Sequence, residues 1–201
     1  MLRFYGWFIC ALVVALIGCT DKEKQIDILF RDRPNMRVPV NSRIYNAAEK
    51  VLEDMIWRGR EPEGNHASSF TIDDGELLLQ KNLPAGEAWV CFFFESRNFT
   101  KRNHFHNVWK KGINGEFTRY NWVKANTELE YKAGKEFLTL LDTLLYPEFK
   151  KLGISAAEAR EYEERFNIPF ESWLLSPQDS YPWNYWGTYY DTHLKNVKNE
   201  Q

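Results

Sequence analysis

The stretch Glu87-Ala88-Trp89-Val90-Cys91-Phe92-Phe93-Phe94-Glu95 is the most apolar run of the chain after its N-terminal segment. Whether it is strand or helix decides the fold. It is nine residues long, bounded by carboxylates, and rich in aromatic and β-branched side chains. That length and content favour a central β-strand. Leu83-Pro84-Ala85-Gly86 before it reads as a turn, and Cys91 inside it as a buried thiol.

Working outward, Asp73-Asp74-Gly75 is a tight-turn signal between two short strands, 69–73 and 76–81. Residues 104–109 are a further strand candidate, and residues 117–124 alternate between apolar and polar. Upstream, residues 26–30 alternate weakly and can form a first strand. Ile44, Ala47, Ala48, Val51, Leu52, Met55 and Ile56 recur at three- and four-residue spacing, which is one amphipathic helix, with Asn41 or Ser42 as its cap. Downstream the period changes. Thr127 with Glu130 makes a capping box, and Leu129, Phe137, Leu138, Leu141, Leu144 and Leu145 form a helical stripe that Pro147 breaks or kinks. Ser155 with Glu158 opens another helix, 156–166. The expected fold is therefore α+β: an antiparallel sheet of four to five strands, flanked by an N-terminal helix and a C-terminal helical region.

The N-terminus carries a different kind of information. A basic residue, Arg3, precedes the apolar core 8–17, and Asp21, Lys22, Glu23 and Lys24 end it. That core is about half of the ~20 residues a membrane-spanning helix needs, so it reads as a secretory signal. Leu16-Ile17-Gly18-Cys19 at its end resembles the lipobox of bacterial lipoproteins. The resemblance covers residues 1–19 and implies that Cys19 is lipidated and becomes the first residue after cleavage. Each buried CH₂ of its acyl chains contributes ~0.8 kcal/mol to anchoring. Thr20, rather than Asp, after the cysteine favours the outer membrane by the family's sorting rule. The domain would then face the periplasm or the cell surface. The expected organisation is a signal, 1–18, a lipidated cysteine and tether, 19–25, one domain, 26–197, and a frayed tail, 198–201.

Composition narrows the function. The formal charge is −2, so no global field points to nucleic acid. With Cys10 leaving in the signal and Cys19 lipidated, Cys91 has no partner for an intrachain disulfide. No serine-hydrolase elbow, His-Glu-x-x-His or phosphate-binding glycine loop occurs, and no cofactor is expected. His104-Phe105-His106 is a weak metal candidate, because a strand would place both imidazoles on one face. The tail is unusually aromatic: Trp183, Tyr185, Trp186, Tyr189 and Tyr190 offer large contact areas with polar handles, as glycan platforms and protein hot spots do.

Three functions compete. The first is a non-enzymatic, lipid-anchored module that binds a protein partner in the envelope. Its compartment and size are similar to those of immunity proteins against delivered toxins such as lipases, and of envelope-assembly subunits. The second is a glycan- or peptidoglycan-binding protein using the aromatic tail. The third is a metal-dependent hydrolase using His104 and His106.

Overall fold

The computed structural model of the chain describes residues 24–62, 68–175 and 181–195. The signal segment, Cys19 and the tail residues 198–201 lie outside these. The run 87–95 is helical: it lies inside a 15-residue α-helix, Ala85–Phe99. Pro84 precedes it in extended conformation, and the Pro84 carbonyl accepts from the Ala88 N–H at 2.9 Å. Twelve of the fifteen residues are buried, so the helix has core on all sides and no amphipathic period to betray it. Trp89, Phe92 and Phe93 are at most 1% exposed, each contributing roughly 1.5–3 kcal/mol by burial. A helix satisfies its own backbone in such a setting. A central strand would need a neighbour on each side.

In chain order the elements are α1 (Gln25–Asp32), a 3₁₀ turn (Pro34–Met36), α2 (Arg43–Asp54), β1 (Ile56–Trp57), β2 (Ser68–Phe70), β3 (Glu76–Leu79) and α3 (Ala85–Phe99). Then follow α4 (Arg102–Ile113), α5 (Arg119–Leu140), a wide π turn (Leu141–Leu145), α6 (Tyr146–Leu152), α7 (Ala159–Phe166), α8 (Phe170–Leu174), a second π turn (Trp183–Gly187) and α9 (Thr188–His193). The described chain is thus mostly helical. Its sheet has three strands in the order β1-β3-β2, with β1 parallel to β3 and β2 antiparallel to it. This corrects the expected antiparallel sheet of four to five strands.

The local signals divide sharply. Ser42 caps α2, its Oγ accepting from the Tyr45 N–H at 3.1 Å. The 73–75 turn joins β2 to β3, with Gly75 at φ 65° and its N–H bonded to the Thr71 carbonyl. The other expected strands are helices: 26–30 lies in α1, 104–109 in α4, and 119–124 opens α5. The α5 cap is Thr118, which accepts from the Asn121 N–H. Thr127 instead sits inside the helix and donates to the Val123 carbonyl at 2.6 Å. Burial along α5 falls at 122–123, 126–127, 130, 133–134 and 137, a helical period.

Pro147 does not stop the chain. The helical path widens into the π turn and continues as α6. Proline has no N–H to give the carbonyl four residues back; that carbonyl, of Thr143, is taken by the Arg43 guanidinium at 2.8 Å.

Two packed regions result. The main core surrounds α3 and draws on α1, α2, the sheet and α5 to α7. A smaller one forms around Trp122, Val123, Leu174 and Leu194, and the aromatic tail packs on it. Helix α5 runs through both. Among the described residues no helix is long and apolar enough to cross a membrane.

Candidate functional site

A cavity of about 870 Å³ opens among α3, α4, α5, α7, β2 and the C-terminal aromatic segment. This is within the size range of small-molecule sites. Helix α3 contributes Glu87, Cys91, Phe94, Glu95 and Asn98, whose three- and four-residue spacing makes one stripe along the helix. Helix α4 adds Phe105, His106 and Trp109, and α5 adds Glu130. The far end of the chain closes the wall with Tyr181, Tyr185, Trp186 and Tyr189.

Two buried carboxylates lie in this wall. Glu95 is 7% exposed. It accepts from Asn98 Nδ2 at 3.1 Å and from Ser68 Oγ at 3.3 Å. Glu130 is 8% exposed. Its Oε1 accepts from the Tyr181 hydroxyl and its Oε2 from Trp186 Nε1 at 3.2 Å. Burial pushes both carboxyls up to about 7. The Asn98 bond holds Glu95 back and the Glu130 charge drives it further up. The Tyr181 and Trp186 bonds hold Glu130 down. Glu87 is raised too, by burial and by the charges of Glu158 and Glu161.

Two basic side chains on the wall stand by acids. Arg165 donates to Glu161 at 2.6 Å and lies over the rings of Tyr162 and Tyr181. His106 Nδ1 is 3.9 Å from Asp73 Oδ1. Cys91 is 1% exposed, with its thiol pushed up to about 11 by burial, so it stays neutral at physiological pH. That is not the electropositive setting of a nucleophilic cysteine. Asn98 Oδ1 is buried with no hydrogen-bond partner among the described residues.

The aromatic residues singled out in the sequence separate into two groups. Tyr185, Trp186 and Tyr189 line the cavity. Trp183 and Tyr190 instead pin the tail: Trp183 Nε1 donates to the Leu174 carbonyl at 2.8 Å and the Tyr190 hydroxyl to the Phe117 carbonyl at 3.0 Å. The rings enclose space rather than forming a flat strip, since Tyr185 and Trp186 meet at 81°.

His104 and His106 do not share a face. Two positions along an α-helix turn the side chain to the opposite side. His106 reaches the main cavity, and His104 lines a shallow hollow with Val108 and Lys111. This corrects the strand geometry on which their pairing rested. Among the described residues no group of three or more His, Cys, Asp or Glu side chains is arranged to hold a metal ion.

Glu95, Glu130, Asn98 and Tyr181 are not among the site residues that the sequence singled out. A helical reading of 119–140 would have exposed Glu130, which falls in one stripe with Asn126, Ala133 and Phe137. A carboxylate in an apolar stripe is a functional signal.

In comparisons with protein families, curated proteins and solved structures, nothing matches this chain.

Proposed function

We propose that this chain is a lipid-anchored envelope protein whose domain takes a small polar ligand into the cavity between α3, α5 and the C-terminal aromatic segment. The observation that carries the reading is a cavity of about 870 Å³ that combines aromatic walls with two buried, hydrogen-bonded carboxylates. Apolar surface with a few convergent polar groups is the usual make-up of a ligand site. The envelope location rests on the lipobox-like Leu16-Ile17-Gly18-Cys19. Protein binding, as an immunity or assembly subunit, rests on compartment and size. The cavity favours the ligand reading. The 81° between Tyr185 and Trp186 suits a compact occupant better than an extended glycan strand.

The test is thermal unfolding of the full chain in detergent, with and without a low-molecular-weight digest of peptidoglycan and a panel of small envelope metabolites. A ligand at ~100 times its Kd adds ~2.7 kcal/mol, which shifts the midpoint measurably. Tyr185→Ala, at a partly exposed ring of the wall, should reduce that shift. No shift from any fraction, or a shift untouched by Tyr185→Ala, would count against the cavity as the site.

A further inference from the structure

The charge lining the cavity is one-sided. Six carboxylates line it: Asp73, Glu87, Glu95, Glu130, Glu158 and Glu161. Two basic side chains oppose them, and both face acids already: Arg165 bonds Glu161, and His106 stands by Asp73. Among the described residues, Glu87, Glu95, Glu130 and Glu158 have no cationic side chain within ion-pair distance.

Several donors of the wall are used within it. The Tyr181 hydroxyl and the Trp186 indole N–H both go to Glu130, and the Asn98 amide N–H goes to Glu95. Acceptors are left over. Asn98 is 4% exposed, and its Oδ1 is buried without a partner. Glu158 Oε2 is buried and unpartnered as well. A buried acceptor left unmade costs about 1–3 kcal/mol, so an occupant that brings donors relieves a standing penalty.

Three ligand classes meet this wall differently. An anion faces six carboxylates against one arginine and one histidine. A neutral sugar brings hydroxyl donors but leaves the excess of negative charge unmatched. A primary ammonium brings three N–H donors, no acceptor and a positive charge. Aromatic faces also attract cations, and Tyr185, Trp186 and Tyr189 stand on the same wall.

We propose that the cavity binds a compact organic cation with a protonated primary amine, held by the carboxylates of Glu95 and Glu130 and by Asn98 Oδ1, with the aromatic wall around it. This rests on the reading of the cavity as a ligand site and names the chemistry of its occupant. The amine can belong to an amino sugar or to a free alkylamine; the recognition is the same.

Protons move with such a ligand. Glu95 and Glu130 are part-protonated near neutrality, because burial holds them at about 7. An arriving ammonium favours their charged forms, so binding releases protons and tightens as pH rises from 6 to 8. The other charged groups facing the pair are Glu87, Glu158 and Glu161 with Arg165, and Asp73 with His106. Cys91, Tyr162, Tyr181 and Tyr185 are all raised by burial and stay neutral in that interval.

Calorimetry on the full chain in detergent tests this with matched probes: glucosamine against N-acetylglucosamine and glucose, and cadaverine against tetramethylammonium. Two buffers of different ionisation enthalpy count the protons released by cadaverine at pH 7. Glucosamine or cadaverine should bind, with the stronger of the two indicating the source of the amine. The acetylated, neutral and N–H-free probes should bind roughly tenfold more weakly or worse. Glu95→Gln and Glu130→Gln should each weaken amine binding by a similar factor without lowering the thermal midpoint. N-acetylglucosamine binding as tightly as glucosamine, with both sensitive to Tyr185→Ala, would overturn the amine proposal and leave the ligand site standing. Unchanged affinity in both glutamine variants would also overturn it. Silence from every probe would overturn the amine proposal, while the ligand site itself stands or falls with the thermal shift by the digest and metabolite panel.

Discussion

Tyr181 donates its hydroxyl to Glu130 and so ties the C-terminal aromatic segment to the middle of α5, across 51 residues of sequence. The bond closes one side of the cavity and gives a buried carboxylate one of its two donors. Tyr181→Phe keeps the ring and deletes the bond. Losing a partner from a buried acceptor costs about 1–3 kcal/mol. A bond to the charged form lowers a carboxyl's pKa, so its loss raises that of Glu130. The variant should therefore lose more stability at pH 8, where Glu130 is ionised, than at pH 5. Urea denaturation at both pH values measures this, and equal losses would argue against the bond's role.

Stability should fall as pH rises from about 4.5 to about 7. In the unfolded chain Glu95 and Glu130 release their protons near the ordinary 4.5, but in the fold only near 7. Between those values the folded state holds more protons, so each pH unit gained disfavours it. Glu76, which Arg60 holds below the ordinary range, works in the opposite sense and only at lower pH: its contribution is present above 4.5 and lost on acidification. The thermal midpoint at pH 5 should exceed that at pH 8 by several degrees. In the double variant Glu95→Gln, Glu130→Gln the difference should shrink. A wild-type midpoint flat across the interval would contradict the assignment.

Gly134→Ala should destabilise the fold although it lies within a helix. In an open helix interior the change gains up to ~1 kcal/mol. Here a Cβ would come within 2.3 Å of the Phe166 ring. That ring cannot swing away freely, because Phe94 and Trp173 pack on it. Overpacking of this kind costs about 1–3 kcal/mol, and it outweighs the propensity. Gly86→Ala is the backbone version of the same clash, its Cβ falling 2.0 Å from the Ser155 carbonyl oxygen. It should push the start of the 155–166 segment off α3 and weaken ligand binding as well. Denaturation midpoints decide both, and a stabilised Gly134→Ala would show that α5 and α7 are less tightly apposed.

Cys19→Ala tests the anchor separately from the cavity. The variant should take up no acyl label and should leave the membrane fraction, while its ligand binding stays as in the parent chain. Membrane retention without label would refute the lipobox reading.

The amino-acid sequence by itself determined the features whose chemistry is local. Ser42 caps α2 because its hydroxyl reaches an N–H three residues on. Asp73-Asp74-Gly75 turns because glycine adopts φ 65° without strain. The lipobox-like run is legible for the same reason, since its residues are adjacent. Only the tertiary structure decided the fate of 87–95: an apolar run with core on every side has no period, and what surrounds it chooses helix over strand. It also decided the site. Glu95, Glu130 and Tyr181 stand far apart in sequence, and Glu130 passes for the partner of a helix cap. Burial makes these groups unusual, and burial depends on helices and an aromatic tail brought together by the whole chain. Patterns between near neighbours record backbone chemistry; desolvation of a carboxylate is set by everything packed around it.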